Sequence, residues 1–268
     1  MTSFPQQKTL EEHRQYQYEI VRLQLWFLHH WLAEHPDETF EYVLRNRVDI
    51  YRKTDVNNGT INPITLHWEY PEWQKMEKEA KRLYLIYNKD AAAFEDAAFE
   101  VFRPSLDARC ERDANDNSEA SRYQCGFLRH NPEPELMEGT AALRLGFHIA
   151  NFCTPASFFD YPDYMKGCFL MLLDRAEHIF HATEIGTGTW LNSMPRWLEW
   201  FPQEWKDNMG EPRTDIQWHY GFWGQFITAR KTFNAKYGQI LRTTGKFPFY
   251  PRRSFCRISA MREWLANR

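Results

Sequence analysis

The most tempting run of possible metal ligands is "DRAEHIFHATE", residues 174–184. Asp174, His178, His181 and Glu184, with Glu177 among them, recur at three- and four-residue spacing. Imidazoles and carboxylates so spaced can meet one divalent metal from a single helix face. A metal-dependent enzyme is therefore one reading. The same segment carries an apolar stripe of Phe169, Leu172, Leu173, Ala176 and Phe180. On a helical wheel Asp174, Glu177, His178 and His181 lie opposite that stripe. The competing reading is a solvated face, which would hold a metal only if another element covered it. The pattern is not HExxH.

A second set lies in "ALRLGFHIAN". Arg144 and His148 share one strand face, with Gly146 between them leaving room near the backbone. Arg144 suits a carboxylate or phosphate, and His148 a general base. A wetted outer face is the alternative, although parallel sheets are usually covered on both sides. His219, Trp223, Phe226, Arg230, Phe233, Tyr237 and Leu241 form a third set. Read as one helical stripe over 215–242, they place Arg230 inside an aromatic face. A buried arginine needs a carboxylate, a carbonyl or a ligand anion. His219 fits a substrate site or a satisfied core histidine.

The fourth set is "TWLNS". Asn192 and Ser193 end a strand, where open α/β folds bind their ligands. Asn192 would orient a substrate, and Trp190 would form a stacking wall near the mouth of the principal pocket. Asn192 and Ser193 also suit the cap of a helix at Met194–Phe201, with Pro195 in its first turn. Trp197, Trp200 and Phe201 make one ridge of that helix and read as packing.

The elements that would carry these groups show in the periodicity. Residues 9–52 read as helix with two apolar stripes, interrupted at Pro36 and restarted by Pro36 and Asp37. A long helical stretch, broken or continuous, spans Pro71 to about Arg103. "DVNNGTINP" (55–63), "RDANDNSEASR" (112–122) and "HNPEPEL" (130–136) read as loops. Period-two alternation over 142–151 and 183–191 predicts two strands. Between them a helix starts near Asp160 and Pro162 and runs to about Phe180. Strand, helix, strand predicts a right-handed parallel βαβ unit. "TTGKFPFYPRR" reads as a loop and "CRISAMREWLANR" as a short closing piece. The expected class is a helix-rich α+β fold, with a helical region at 1–130 and a mixed region at 131–268, as two units or one continuous domain.

Composition bounds the function. The net charge is -3 and the pI ≈ 6.4, which does not favour nucleic acid or an anionic membrane as partner. "GKFPFYPRRSFCR" interleaves Lys246, Arg252, Arg253 and Arg257 with aromatic residues. One such stretch in an acidic chain fits a phosphate-bearing small ligand or tail packing better than nucleic acid. No run long enough to cross a membrane occurs, and the N-terminus lacks a secretory pattern, so a cytoplasmic location is expected. The five cysteines form no CxxC pair and read as reduced thiols. GxGxxG, GxxxxGK[ST] and GxSxG are absent. The aromatic share of 16% suits small-molecule pockets, and also a binding or oligomerisation surface without catalysis.

Residues 140–205 resemble the second half of a GNAT-type acyltransferase domain. "AALRLGFHIAN", "YPDYMKGCFLMLLDRAE", "TEIGTGTW" and "NSMPRWLEWFP" follow that family's order of strand, helix, strand and helix. The resemblance implies acyl-CoA bound between splayed strands and acyl transfer to an amine. "TPASFFDYPDYMKG" stands where the family has its glycine-rich pyrophosphate turn.

Overall fold

The computed structural model describes residues 9–57, 66–115 and 123–268. Residues 58–63 and 116–122 of the two expected loops lie outside that description. Residues 112–115 are the end of a helix rather than a loop.

Helix α1 (Leu10–Glu34) begins at a capping box. The Glu12 amide donates to the Thr9 hydroxyl, and the Glu12 carboxylate accepts from the Thr9 amide. Both expected stripes are buried, including Ile20, Val21, Leu23, Phe27 and Leu28. Helix α2 (Phe40–Asn46) is capped by Thr39, not by Pro36 or Asp37. The Thr39 hydroxyl accepts from the Tyr42 amide, an interaction no proline can supply. The following stretch divides into α3 (Pro71–Ile86) and α4 (Ala91–Asn115), with Pro104 inside α4. α1 packs chiefly along α4.

The rest of the chain builds a six-stranded mixed sheet, giving a helix-rich α+β fold. Its strands are β1 (Gln124–Cys125), β2 (Leu128–His130), β3 (Glu135–Leu136), β4 (Leu143–Ile149), β5 (Glu184–Thr189) and β6 (Arg252–Arg257). The order is β1-β2-β4-β5-β6, with β3 also paired to β4. β4 and β5 are parallel neighbours joined by α5 (Pro162–His178), as the alternation predicts. β5 and β6 are antiparallel over their full length. The short β1, β2, β3 and the charged β6 fall where loops or an unassigned tail are expected.

Alternation divides the sheet faces. Leu145, Phe147, Ile185 and Cys256 are buried beneath α5, α6 (Pro195–Leu198), α7 (Gln203–Asp207) and α9 (Ile258–Ala266). Trp197, Trp200, Phe201 and Trp205 complete that core. All five cysteines are buried thiols. Arg144, Gly146, His148, Glu184, Gly186, Gly188, Arg253 and Phe255 take the opposite face.

The long helix expected over 215–242 does not form. Residues 218–226 are two 3-10 turns separated by Gly221 at φ 84°, and α8 spans only Ala235–Thr244. The Asn234 side chain accepts from the Tyr237 amide and starts α8. The apparent seven-residue stripe is therefore divided among these three elements and the 227–234 turn, which holds Arg230 and Phe233. Phe222, Trp223, Phe226, Leu241 and Phe247 from this region join the core of the helical half.

Arg47 ties this segment to the helices. It donates to Asp215, Glu38 and the Ile216 carbonyl, while its own carbonyl accepts from the Trp223 indole at 2.9 Å. Burial opposes ionisation of Glu38 and Asp215, but hydrogen bonds from Arg47 outweigh it and hold both carboxyls below their ordinary values. Arg47→Ala is expected to cost about 2 kcal/mol at pH 7, since it leaves partly buried carboxylates without their partner. Depressed acids stabilise above their unfolded pKa and lose that contribution as pH falls through the folded one. The gap between wild type and variant should therefore narrow below about pH 4 in urea titrations.

Candidate functional site

β4 and β5 share a register only at Arg144↔Glu184, Leu145↔Ile185 and Gly146↔Gly186. Beyond it the strands part. β4 continues against β2 as far as Ile149, and β5 continues against β6 as far as Thr189. The direction of the free backbone groups follows from alternation. Asn131 N–H donates to the Gly146 carbonyl and Ala150 N–H to the Phe127 carbonyl, so the even-numbered groups of β4 face β2. Those of Phe147 and Ile149 face β5 instead. By the same alternation Gly188 N–H faces β4. The splay thus presents main-chain donors and acceptors across an open gap.

Two cavities meet there, sharing His148, Thr187 and Gly188. One, of about 520 Å³, lies on the open face and is lined by Asn131, Glu135, Arg144, Arg213, His219 and Arg253 among others. The other, of about 530 Å³, lies at the carboxyl ends of the strands, between residues 149–159 and 221–231. A larger depression of about 720 Å³ lies between α3 and α4, away from the sheet. Its described lining includes Tyr70, Met76, Val101 and Pro104, with no histidine or arginine. Both sheet cavities fall in the size range of small-molecule sites.

His148 is the titratable side chain common to both sheet cavities. Its side chain is exposed to solvent through them, while the protein atoms packed around it still remove part of its hydration. Burial lowers its pKa below 6.5, and the Arg129 charge lowers it further, so the ring is neutral at pH 7. Its Nε2 lies 2.9 Å from Asn131 Oδ1. With Nε2–H donating to that oxygen, Nδ1 carries the basic lone pair. Gly146 makes this contact possible: a Cβ there would sit 2.4 Å from Asn131 Nδ2. The space beside Gly146 therefore holds Asn131, not a ligand. Gly146→Ala is expected to cost about 1–2 kcal/mol by overpacking and to displace Asn131 from His148. Thermal unfolding would read the first effect, and an NMR titration of His148 the second.

Other expected site residues have different employment. Arg144 donates twice to Glu184, at 3.0 and 2.7 Å, and stacks 3.5 Å above the Phe255 ring. Its charge is matched before any ligand arrives. Arg230 is exposed in the turn at 228–232, not buried in an aromatic stripe. Asn192 is fully buried: its amide nitrogen donates to the Thr187 and Arg252 carbonyls, and its oxygen accepts from the Trp197 indole at 3.0 Å. Ser193 donates to the Tyr250 carbonyl at 2.6 Å. Asn192 and Ser193 thus brace the turn after β5 and are not at the pocket mouth. Trp190 does line the apolar cavity, while Trp197, Trp200 and Phe201 are core.

His219 lines the polar cavity, exposed and beside Tyr220, with its pKa lowered by burial and by Arg213. Arg213 lies over the Tyr220 ring at 3.6 Å. Neither Arg213 nor Arg253 has a carboxylate partner among the described residues. They are the cations of this face that remain available to a ligand. Arg253 belongs to a basic-aromatic stretch, but its position on β6 shows only in a period-two pattern that charged residues obscure. Arg213 has no local signal of its own.

The metal-ligand set is not assembled. Asp174 and Glu177 pair with Arg262 of α9, Glu184 with Arg144, and His178 is exposed. His181 follows α5 in the left-handed region at φ 51°. No cluster of three or more metal-ligating side chains occurs among the described residues. The basic-aromatic tail is largely consumed as well: Phe247 is core, Arg252 binds the Gly210 carbonyl and Arg257 pairs with Glu204. Of the tryptophans only Trp264 is exposed, so they form no broad surface patch. Among the described residues, no helix is long and apolar enough to cross a membrane.

Comparison with family models, with curated proteins and with solved structures yields no match.

Proposed function

We propose that the chain is a cytoplasmic enzyme acting on an anionic small molecule, and that its reaction is acyl transfer to an amine. The observation that carries this is the parting of β4 and β5 beyond Gly146 and Gly186, with two cavities meeting at a neutral His148. The GNAT resemblance implies an acyl thioester in such a gap, and acyl-CoA is the donor class it suggests. Gly188 N–H faces the gap without a strand partner and would stabilise the developing oxyanion. His148 would take the proton from the attacking amine as the new C–N bond forms and the C–S bond breaks. Arg213 and Arg253, not Arg144 and Arg230, would hold the anionic group.

The phosphate contacts cannot be those of the family's glycine turn. Residues 154–162 are TPASFFDYP, with Ser157 and Asp160 capping a short 3-10 turn. The arginine-bearing cavity is the better match for phosphate charge. The test is thiol release from acetyl-CoA in the presence of a panel of primary amines, with binding followed by calorimetry. Amine-dependent, saturable thiol release supports the reading. Absence of both thiol release and acetyl-CoA binding overturns it.

A further inference from the structure

We propose that the cavity at the carboxyl ends of β4 and β5 binds the apolar, aromatic part of a carboxylic acid, with Lys231 holding the carboxylate. This rests on the reading of the splayed strands as the ligand site, but not on acyl transfer as the reaction.

The lining is apolar on most sides. Ile149, Phe152, Phe158, Trp190, Met194 and Ile227 make up much of it. Phe152 and Ile227 remain 45% and 37% exposed, so the rim is apolar as well. Gly224 puts no side chain against the Trp190 indole: a Cβ there would lie 3.3 Å from Nε1. An aromatic ring of a ligand has a flat wall to stack on.

The polar lining is mostly occupied. Asn151 donates to the Ala156 and Ala229 carbonyls and accepts from the Cys153 amide. The hydroxyls of Ser157, Thr189 and Thr228 accept from nearby amides. Lys231 differs from these. Its ammonium has no ion pair or hydrogen bond among the described residues, and it is the one permanent charge in the described lining. No carboxylate lines the cavity among those residues. An apolar chamber with a single unmatched cation complements an amphipathic anion and disfavours an amine.

The backbone fixes where the Lys231 side chain starts. Lys231 has φ 59° and closes the turn from Thr228 to Thr232, between the bridged Ile227 and Phe233. A non-glycine residue in this region is uncommon, and asparagine is among those that tolerate it. Lys231→Asn therefore removes the charge without adding strain.

The experiment is a binding titration by calorimetry and tryptophan fluorescence, using 3-phenylpropanoate, its neutral amide and phenethylammonium. The wild type should bind the carboxylate about tenfold more tightly than the amide, and the ammonium more weakly still. Lys231→Asn should erase the preference for the carboxylate and leave amide binding unchanged. Lys231→Arg should retain most of the preference. Ala229→Phe, which fills the chamber, should abolish binding of both the carboxylate and the amide. Equal affinity for all three probes, or a preference unaltered in Lys231→Asn, overturns the proposal. Carboxylate binding in a protein that releases no thiol from acetyl-CoA would remove acyl transfer and keep this inference. Thiol release without Lys231-dependent binding would do the reverse.

Discussion

His148→Ala is expected to lower amine-dependent turnover by about 10²- to 10⁴-fold, the range for losing a positioned general base. Substrate affinity should change little, because the anion is assigned to Arg213 and Arg253. The ring is neutral at pH 7, since burial and Arg129 both lower its pKa. Activity that depends on the neutral ring is lost as pH falls through that lowered value. The acid limb of the wild-type profile should therefore lie below pH 6.5, and it should vanish from the residual activity of the variant. An unchanged turnover, or an acid limb preserved in His148→Ala, would assign the base elsewhere.

Trp197→Ala should produce the largest loss of stability among single changes near the site, about 4 kcal/mol. The indole is fully buried, with its ring centroid 4.9 Å from that of Phe201 and 6.0 Å from that of Phe169. Its N–H also fixes Asn192, which in turn holds the Thr187 and Arg252 carbonyls. The defect should therefore spread to β5, where the two cavities join. Trp197→Phe keeps most of the ring area but leaves the Asn192 oxygen unpaired, and should cost about 2 kcal/mol. Guanidinium unfolding followed by circular dichroism would measure both. A change in Trp197→Ala below that in Trp197→Phe would refute this account.

The readable parts of the sequence were those where a single period governs burial. β4 alternates because one face meets α5 and the other meets polar groups, and β5 keeps the period in residue type although Ile185, Gly186 and Thr187 are all buried. α1 shows two stripes because it is buried on most sides. The region 215–242 misleads because aromatic residues fall at helical spacing while Gly221, at positive φ, and the Asn234 cap divide the backbone. Phe222, Trp223 and Phe226 are buried there through 3-10 turns, which imitate the same spacing. A helical reading of that spacing puts Arg230 in a core it never enters, and gives Lys231 no turn to mark it.

The site was half legible for a related reason. His148 and Trp190 stand on or next to a periodic strand, so their placement beside a cavity could be inferred. Asn131, Arg213 and Arg253 reach the site from distant segments through tertiary packing, which no local pattern encodes. Asn192 has the right position and the wrong role. The end of a parallel strand attracts ligands, but the same turn also needs its carbonyls satisfied.

The five buried thiols make the molecule its own recorder of opening. Cys125, Cys153, Cys168 and Cys256 sit in the core beneath the sheet, and Cys110 lies on α4 in the helical half. Burial also raises the pKa of those four sheet-core thiols. A water-soluble alkylating reagent can therefore modify them only during excursions that expose the interior. Mass spectrometry of pulse-labelled protein would resolve whether Cys110 reacts in step with the sheet thiols. Synchronous labelling is expected, because Arg47 and Trp223 fasten the helices to the segment that walls the cavities. The two halves would then breathe as one cooperative body, and occupancy of either cavity would slow alkylation of a thiol far from it.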